Sequence, residues 1–379
     1  MSSSALLTIV SSRIVPSTVH IVERMAPGGI ETLVLDMAHG MAGQHTVFSL
    51  GGTRDELIAA WPRLTDLDGT LEVFGRQPGV RPALVARLAR RLTALRPSAV
   101  ILHHDGPLIY GGLAARLAGV PVLVHVEHDA WHYNTPWRRA VARLAFHAVR
   151  PRRVAVSPDI AQSVGRFVGG IAAAIIPPGI DIVAYRPRDR AQARARLGMP
   201  LDVPVIGTSG RLVAVKSQGT LIDALALLHA STALRPHLVI AGEGPERAAL
   251  VSRAAAHDLA EFVHLPGHRD DLSEVLSAFD VYALPSLNEG LPRGVLEAQA
   301  AGVPVVASHV GGLAEAVCPR SGRLVPAGDA HALADALAAV LAEPADPSVP
   351  RAFVEARYAL SGTLDAYARV IDSEGRLSW

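Results

Sequence analysis

Two residue types are almost missing from this chain. Cys318 is the single cysteine among 379 residues. That excludes an intrachain disulfide and any multi-cysteine zinc or redox motif, and it leads us to expect a cytosolic compartment. Lysine also occurs once, at Lys216, every other basic residue being arginine. No run reaches the roughly 18 uninterrupted apolar residues of a membrane-spanning helix. Residues 5–10, ALLTIV, are too short for a secretion signal and lack its basic start and cleavage pattern. Charge is scarce in sum: the net value is +1, which calls for no polyanionic partner, so nucleic acid is not expected. The halves differ, however, with 19 Arg against 13 acids in residues 1–186 and 17 basic against 22 acidic residues thereafter.

What is present is a regular alternation. Half the residues are apolar, enough for two cores, and at roughly 100–200 residues per domain the length suggests two domains. Val- and Ile-rich runs recur with helix-like segments between them: STVHIVERM, HTVFSL, LEVFG, SAVILHHD, VPVLVHVEHD and RRVAVSP. After PPGID and an Arg-rich stretch the pattern restarts with VPVIGTSGRL, PHLVIAGEG, EFVHLPG, VYALPS, VPVVAS and GRLVPAG. Short β-branched runs separated by helices read as parallel strands, so the fold class is α/β with two doubly wound sheets. Paired prolines and Gly179 place the boundary near Pro177–Pro187. The expected domains are 1–182 and 183–358, and within the tail, 359–379, Ala359 to Ile371 carry a helical pattern compatible with packing back on the first. Ligands of open α/β sheets collect at strand carboxyl ends, so two facing sheets make a cleft.

The most informative stretch is LPSLNEGLPRGVLEAQAAGVPVVAS, 284–308. Pro292 suits a first helical turn, which puts Glu289 on the preceding loop and Glu297 roughly 7 to 8 Å along the axis. Read alone, the pair suits either a capping acid with an ordinary solvent-facing Glu, or two carboxylates flanking a phosphate at a helix N-terminus. Gly290 and Gly294 permit close backbone approach. The solitary Lys216, with Arg211 beside it, follows another strand, where a compact point charge suits phosphate oxygens. Gly28 and Gly29 open a helix in the first half, either as a plain turn or as N–H donors to phosphate.

Histidines cluster at two strand ends of the first half: His103 and His104 with Asp105, then His125, Glu127, His128, Asp129 and His132. A metal is one reading, but the helix-borne spacing of a zinc protease is missing. The other is a single histidine, His128, hydrogen-bonding a sugar hydroxyl or orienting a reacting group. WRRAVARLAFHAVRPRR at 137–153 places Trp137, Val141, Leu144 and Ala148 at helical spacing among arginines, and 81–97 is similar. Such helices either cover an α/β sheet with a solvated basic face or rest on an anionic membrane.

Taken in order, PGGIE, HD after a strand, PPGID, SGRLVAVKSQ, AGEGPE, PGHRDDL, the 284–308 stretch and VGGLAEAV resemble the retaining glycosyltransferases of family 4 over nearly the whole chain. The resemblance implies the GT-B fold, with two Rossmann-like domains facing across a cleft, acceptor mainly on the first and sugar nucleotide mainly on the second. It implies that Arg211 and Lys216 clamp the diphosphate, Glu297 holds the ribose, Glu289 contacts the donor sugar and His128 lies beside that sugar. Gly28, Gly29, Gly210, Gly290 and Leu291 are further donor-binding candidates, and Glu243 and His268 border the base. Glu31, His103 and Asp129 are acceptor-side candidates. No metal and no cofactor are implied, the co-substrate being a nucleotide sugar with UDP or GDP as its nucleotide.

The expected reaction is metal-independent, retaining transfer to a hydroxyl of a glycan or lipid-linked acceptor in bacterial exopolysaccharide, lipopolysaccharide or glycolipid assembly. The enzyme would be cytoplasmic, with peripheral contact to the inner face of the membrane. A soluble small-molecule acceptor, a sugar-nucleotide epimerase and a silent binding subunit are the alternatives. Oligomeric state is left open.

Overall fold

Two switch points of strand order decide where ligands collect. In the computed structural model, which describes residues 17–67, 69–169, 174–343 and 346–373, the first sheet holds β1 (Ser17–Val22), β2 (Gln44–Ser49), β3 (Leu71–Val73), β4 (Ala99–His103), β5 (Val122–Glu127), β6 (Arg152–Ala155) and β7 (Ala174–Ile175). Its spatial order is β3-β2-β1-β4-β5-β6-β7. The chain winds outward from β1 to β3, then returns to lay β4 on the other side of β1, opening a crevice beyond the ends of β1 and β4.

The second sheet repeats the device. Its strands are β8 (Val205–Ser209), β9 (His237–Ala241), β10 (Val263–Gly267), β11 (Val281–Leu284), β12 (Val305–Ser308) and β13 (Arg323–Val325). They lie in the order β10-β9-β8-β11-β12-β13, so the switch falls between β8 and β11. All pairings in both sheets are parallel. Helices cover both faces, which is why strands such as AVILH are buried at every residue rather than at alternate ones.

The domains share packing. One apolar cluster runs from Val19 and Leu102 of the first sheet through Leu291 and Val295 to Tyr358 and Tyr367 near the C-terminus. The Ser348–Tyr358 helix packs on the second domain, where Tyr358 donates to the Glu315 carbonyl at 2.7 Å. The chain then crosses: Leu360 N–H donates to the Ile180 carbonyl at 2.9 Å. The Leu360–Asp372 helix lies on the first domain, with Thr363 bonded to the Pro177 carbonyl and Arg152 gripping the carbonyls of Val370 and Ile371. The proposed tail helix thus has its described part on the first domain, while 374–379, like the ALLTIV segment, lies outside the described residues.

One local expectation is corrected. The helix after Glu289 runs Arg293–Ala300, with Pro292 outside it as the N-cap. A ψ of 119° leaves Pro292 extended, so the first turn begins one residue later. On the Pro136–Val149 helix the buried stripe is Ala142, Ala145, Phe146 and Val149. The Trp137, Val141, Leu144 and Ala148 stripe instead points outward, leaving Trp137 75% and Leu144 69% exposed.

Candidate active site

A cavity of about 1740 Å³ lies between the carboxyl ends of the two sheets. Its second-domain wall comes from loops that follow β8 and β11. Gly210 and Arg211 come directly after β8, and Lys216 just before the Gln218–Ser231 helix. From the β11 side come Glu289, Gly290, Leu291 and the N-terminal turn of the Arg293–Ala300 helix, with Glu297 on its inner face. Lys216 Nζ lies 2.6 Å from Glu289 Oε1, which also accepts from Ser286 Oγ at 2.6 Å. Glu243 and His268 stand at the outer end and are tied to neighbours Arg247 and Asp270 at 3.1 Å.

Arg293, which sequence reasoning passed over, joins the walls. Its guanidinium donates to Asp36 Oδ2 of the Gly29–Gly40 helix at 2.7 Å and to the Gly179 carbonyl at 2.7 Å, while its Nε lies 3.6 Å from Glu297 Oε1. Burial pushes the Glu297 carboxyl above its usual range, Arg293 opposing that shift and Asp36 adding to it. A second contact closes the walls at Gly290, where a Cβ would collide with the carbonyl oxygen of His128. Glycine is required there by the approach of the other domain.

The first-domain wall contributes Gly28, Gly29, Glu31, His128 and Asp129. Glu31 occupies the first turn of its helix, and its carboxylate fills the space a Cβ on Gly28 would need. Burial pushes Glu31 up to about 7, moderated by its own N–H and by Arg211. His128 is held well below the usual imidazole value by burial, then by neighbouring His104, His125 and His132, so it is neutral. Its Nε2 lies 3.1 Å from His103 Nδ1, leaving Nδ1 for a ligand.

Of the donor-, sugar- and acceptor-side candidates that the resemblance implied, all but His103 line this cavity, whereas His125 and Glu127 of the histidine cluster are buried away from it. His103 is 0% exposed and stands behind His128 in a buried row with His20, whose ring stacks at 5.9 Å, and His45, 3.1 Å from His20. The reason is the backbone: His104 has φ +75°, a turn that keeps His103 under the sheet and brings His104 to the cleft. His104, Asp105 and His132 therefore line the cavity too. His132 Nδ1 is 2.6 Å from Asp129 Oδ1 and its Nε2 is 3.2 Å from Asp105 Oδ2. Burial alone would depress His132, but the two carboxylates push it up to about 10.

Chemically, the second-domain wall is a cationic cradle at a helix N-terminus, suited to two linked phosphates. Two family models match the chain: Glycosyltransferase Family 4 over residues 27–183 and Glycosyl transferases group 1 over residues 189–358. The chain belongs to the family 4 glycosyltransferases. This glycosyltransferase is 29% identical over 300 residues to the putative glycosyltransferase EpsF of Bacillus subtilis, covering 76% of this chain and 78% of that one. It is 38% identical over 257 residues to the D-inositol 3-phosphate glycosyltransferase of Saccharomonospora viridis, covering 62% of this chain but only 59% of that relative. Among solved structures, Anabaena HepE in complex with UDP and glucose superposes with a TM-score of 0.82 at 23% identity, covering 94% and 99% of the two chains. That likeness carries the GT-B fold.

Proposed function

We propose that this glycosyltransferase moves a sugar from a UDP-sugar to the hydroxyl of a lipid-linked acceptor with retention of configuration, working at the inner face of the cytoplasmic membrane. The observation that carries the acceptor class is an exposed apolar margin on the first-domain side of the cleft. Val80, 84% exposed, lines the cavity with Ile109, Leu113, Trp131, Trp137 and Val141. The outward stripe of Trp137 and Leu144 continues it along a helix that also bears Arg138, Arg139 and Arg143. Exposed apolar side chains among arginines suit a surface that meets lipid tails and anionic headgroups together. No helix among the described residues is long and apolar enough to cross a membrane, so the proposed contact is peripheral. UDP is the nucleotide that the HepE structure carries.

In this reading Arg211 and Lys216 clamp the diphosphate, with Gly28, Gly29, Gly210 and the Arg293–Ala300 N-terminus supplying N–H groups. Glu297 holds the ribose, Glu289 the sugar, Glu243 and His268 the base, while Leu291 packs beside the donor. The anomeric C–O bond breaks and its electron pair passes to the diphosphate. The acceptor oxygen forms the new bond on the same face, and its proton goes to the leaving phosphate oxygen. Charge growing on the diphosphate is met by preorganised cations and N–H dipoles, with no metal at the donor phosphates. His128, neutral and with Nδ1 available, accepts or donates a hydrogen bond at the transferred sugar.

The likeness to inositol-phosphate transferases favours a second reading, a soluble phosphorylated acceptor. Acceptor-dependent UDP release separates the two. Release stimulated by a prenyl-diphosphate-linked sugar in anionic vesicles, with flotation of the protein on those vesicles, is expected. Release with inositol 3-phosphate alone and no flotation would overturn the lipid reading.

A further inference from the structure

Three ligand-type side chains converge on the first-domain wall, where the sequence left a metal as one reading and the family resemblance implied none. His104, Asp129 and His132 each offer a nitrogen or oxygen, and these atoms lie within 4.8 Å of one another. We propose that they bind one first-row divalent cation, of the zinc or cobalt class, on the acceptor side of the cleft.

The donor set fits: two imidazoles and one carboxylate, with positions left open, is a common arrangement for such ions. Bonds of about 2.0–2.1 Å place tetrahedral ligands roughly 3.3 Å apart, so side-chain rotations of about an ångström complete the site. Asp129 Oδ1 and His132 Nδ1 already lie 2.6 Å apart. Yet neither that oxygen nor His132 Nε2, both shut away from solvent, has a partner in hydrogen-bond geometry. At 2.6 Å the two are paired more closely than ligands of one ion, so a bound cation would take the place of that ion pair.

Behind them stands the support such a site needs. Asp105 Oδ2 is 3.2 Å from His132 Nε2, and Asp105 Oδ1 accepts from the Tyr133 hydroxyl at 3.0 Å. A ligating histidine whose second nitrogen faces a carboxylate is fixed in ring orientation and made a stronger donor. His104 reaches the site only through its φ of +75°, a backbone state few non-glycine residues hold. All four residues line the cavity, so the cation's open positions face the space where acceptor oxygens would bind. That last assignment rests on the acceptor reading above; binding of the ion does not.

The test is titration of the full chain, free of any histidine tag, with Co²⁺ and then Zn²⁺, followed by visible absorption and calorimetry without sugar or acceptor. One Co²⁺ per chain with a d–d band, displaced by Zn²⁺, is expected. His104→Asn and His132→Asn should each weaken binding by roughly tenfold or more, with UDP affinity unchanged as evidence of folding. His257→Asn, an exposed histidine beside Asp223, should have no effect. Should a histidine variant fail to fold, Asp129→Asn serves in its place. No stoichiometric binding, or binding insensitive to all three, would overturn the proposal. Because no acceptor is used, failure of the lipid reading leaves this result intact.

Discussion

The two walls of the cleft are built in different ways. On the second domain, chemistry is concentrated in short contiguous segments: Gly210, Arg211 and Lys216 after β8, and Glu289 through Glu297 after β11. On the first domain it is assembled from distant pieces: Glu31 from one helix, His104 and Asp105 from a strand end, Asp129 and His132 from another, and an apolar margin from residues 80 to 141. On the proposed assignment, a donor whose diphosphate is always the same would be met by a fixed local cradle, and an acceptor that differs between enzymes by whatever side chains the fold brings to one place.

Arg293 is where the walls are joined, and breaking that joint should have the largest effect. Arg293→Ala leaves the buried Glu297 and the half-buried Asp36 with no cation between them, and should cost about 3 kcal/mol of stability, read as a lower denaturant midpoint. Lys216→Ala should then reduce turnover by about two orders of magnitude with little change in KM, if the charge acts on the leaving diphosphate. A raised KM with intact turnover would mean that Lys216 merely binds.

The smallest effect concerns pH. With its carboxyl raised to about 7, Glu31 is neutral below that pH and anionic above it, and although named as an acceptor-side candidate it faces Arg211, the proposed diphosphate clamp. UDP affinity should fall severalfold as pH rises through about 7, and Glu31→Gln should flatten that dependence. An unaltered profile in the variant would remove Glu31 from the donor's surroundings.

This contrast also explains what was legible from sequence. The sheets follow local patterns, so β-branched runs were enough, whereas the crossover of the tail and the roles given to the second-domain wall came from the family resemblance. Arg293 lay within the central motif, but its partner Asp36 is 257 residues away, and no local pattern announces such a pair. On the Pro136–Val149 helix the sequence left the place of the apolar face open, for a physical reason. Its buried stripe is alanine-rich, while its exposed stripe carries Trp137 and Leu144, so hydrophobicity alone picks the wrong face. At His103 and His104 strand alternation was no guide, because the backbone turns between them.

The separation of the walls is tested most directly by calorimetric titration of UDP into wild type, Glu297→Ala and Trp137→Glu. Glu297→Ala should weaken UDP by about tenfold, roughly 1.4 kcal/mol, whereas Trp137→Glu should leave it within about twofold. Unchanged UDP affinity in Glu297→Ala, or a loss in Trp137→Glu of similar size, would contradict the division into a donor wall and an acceptor wall.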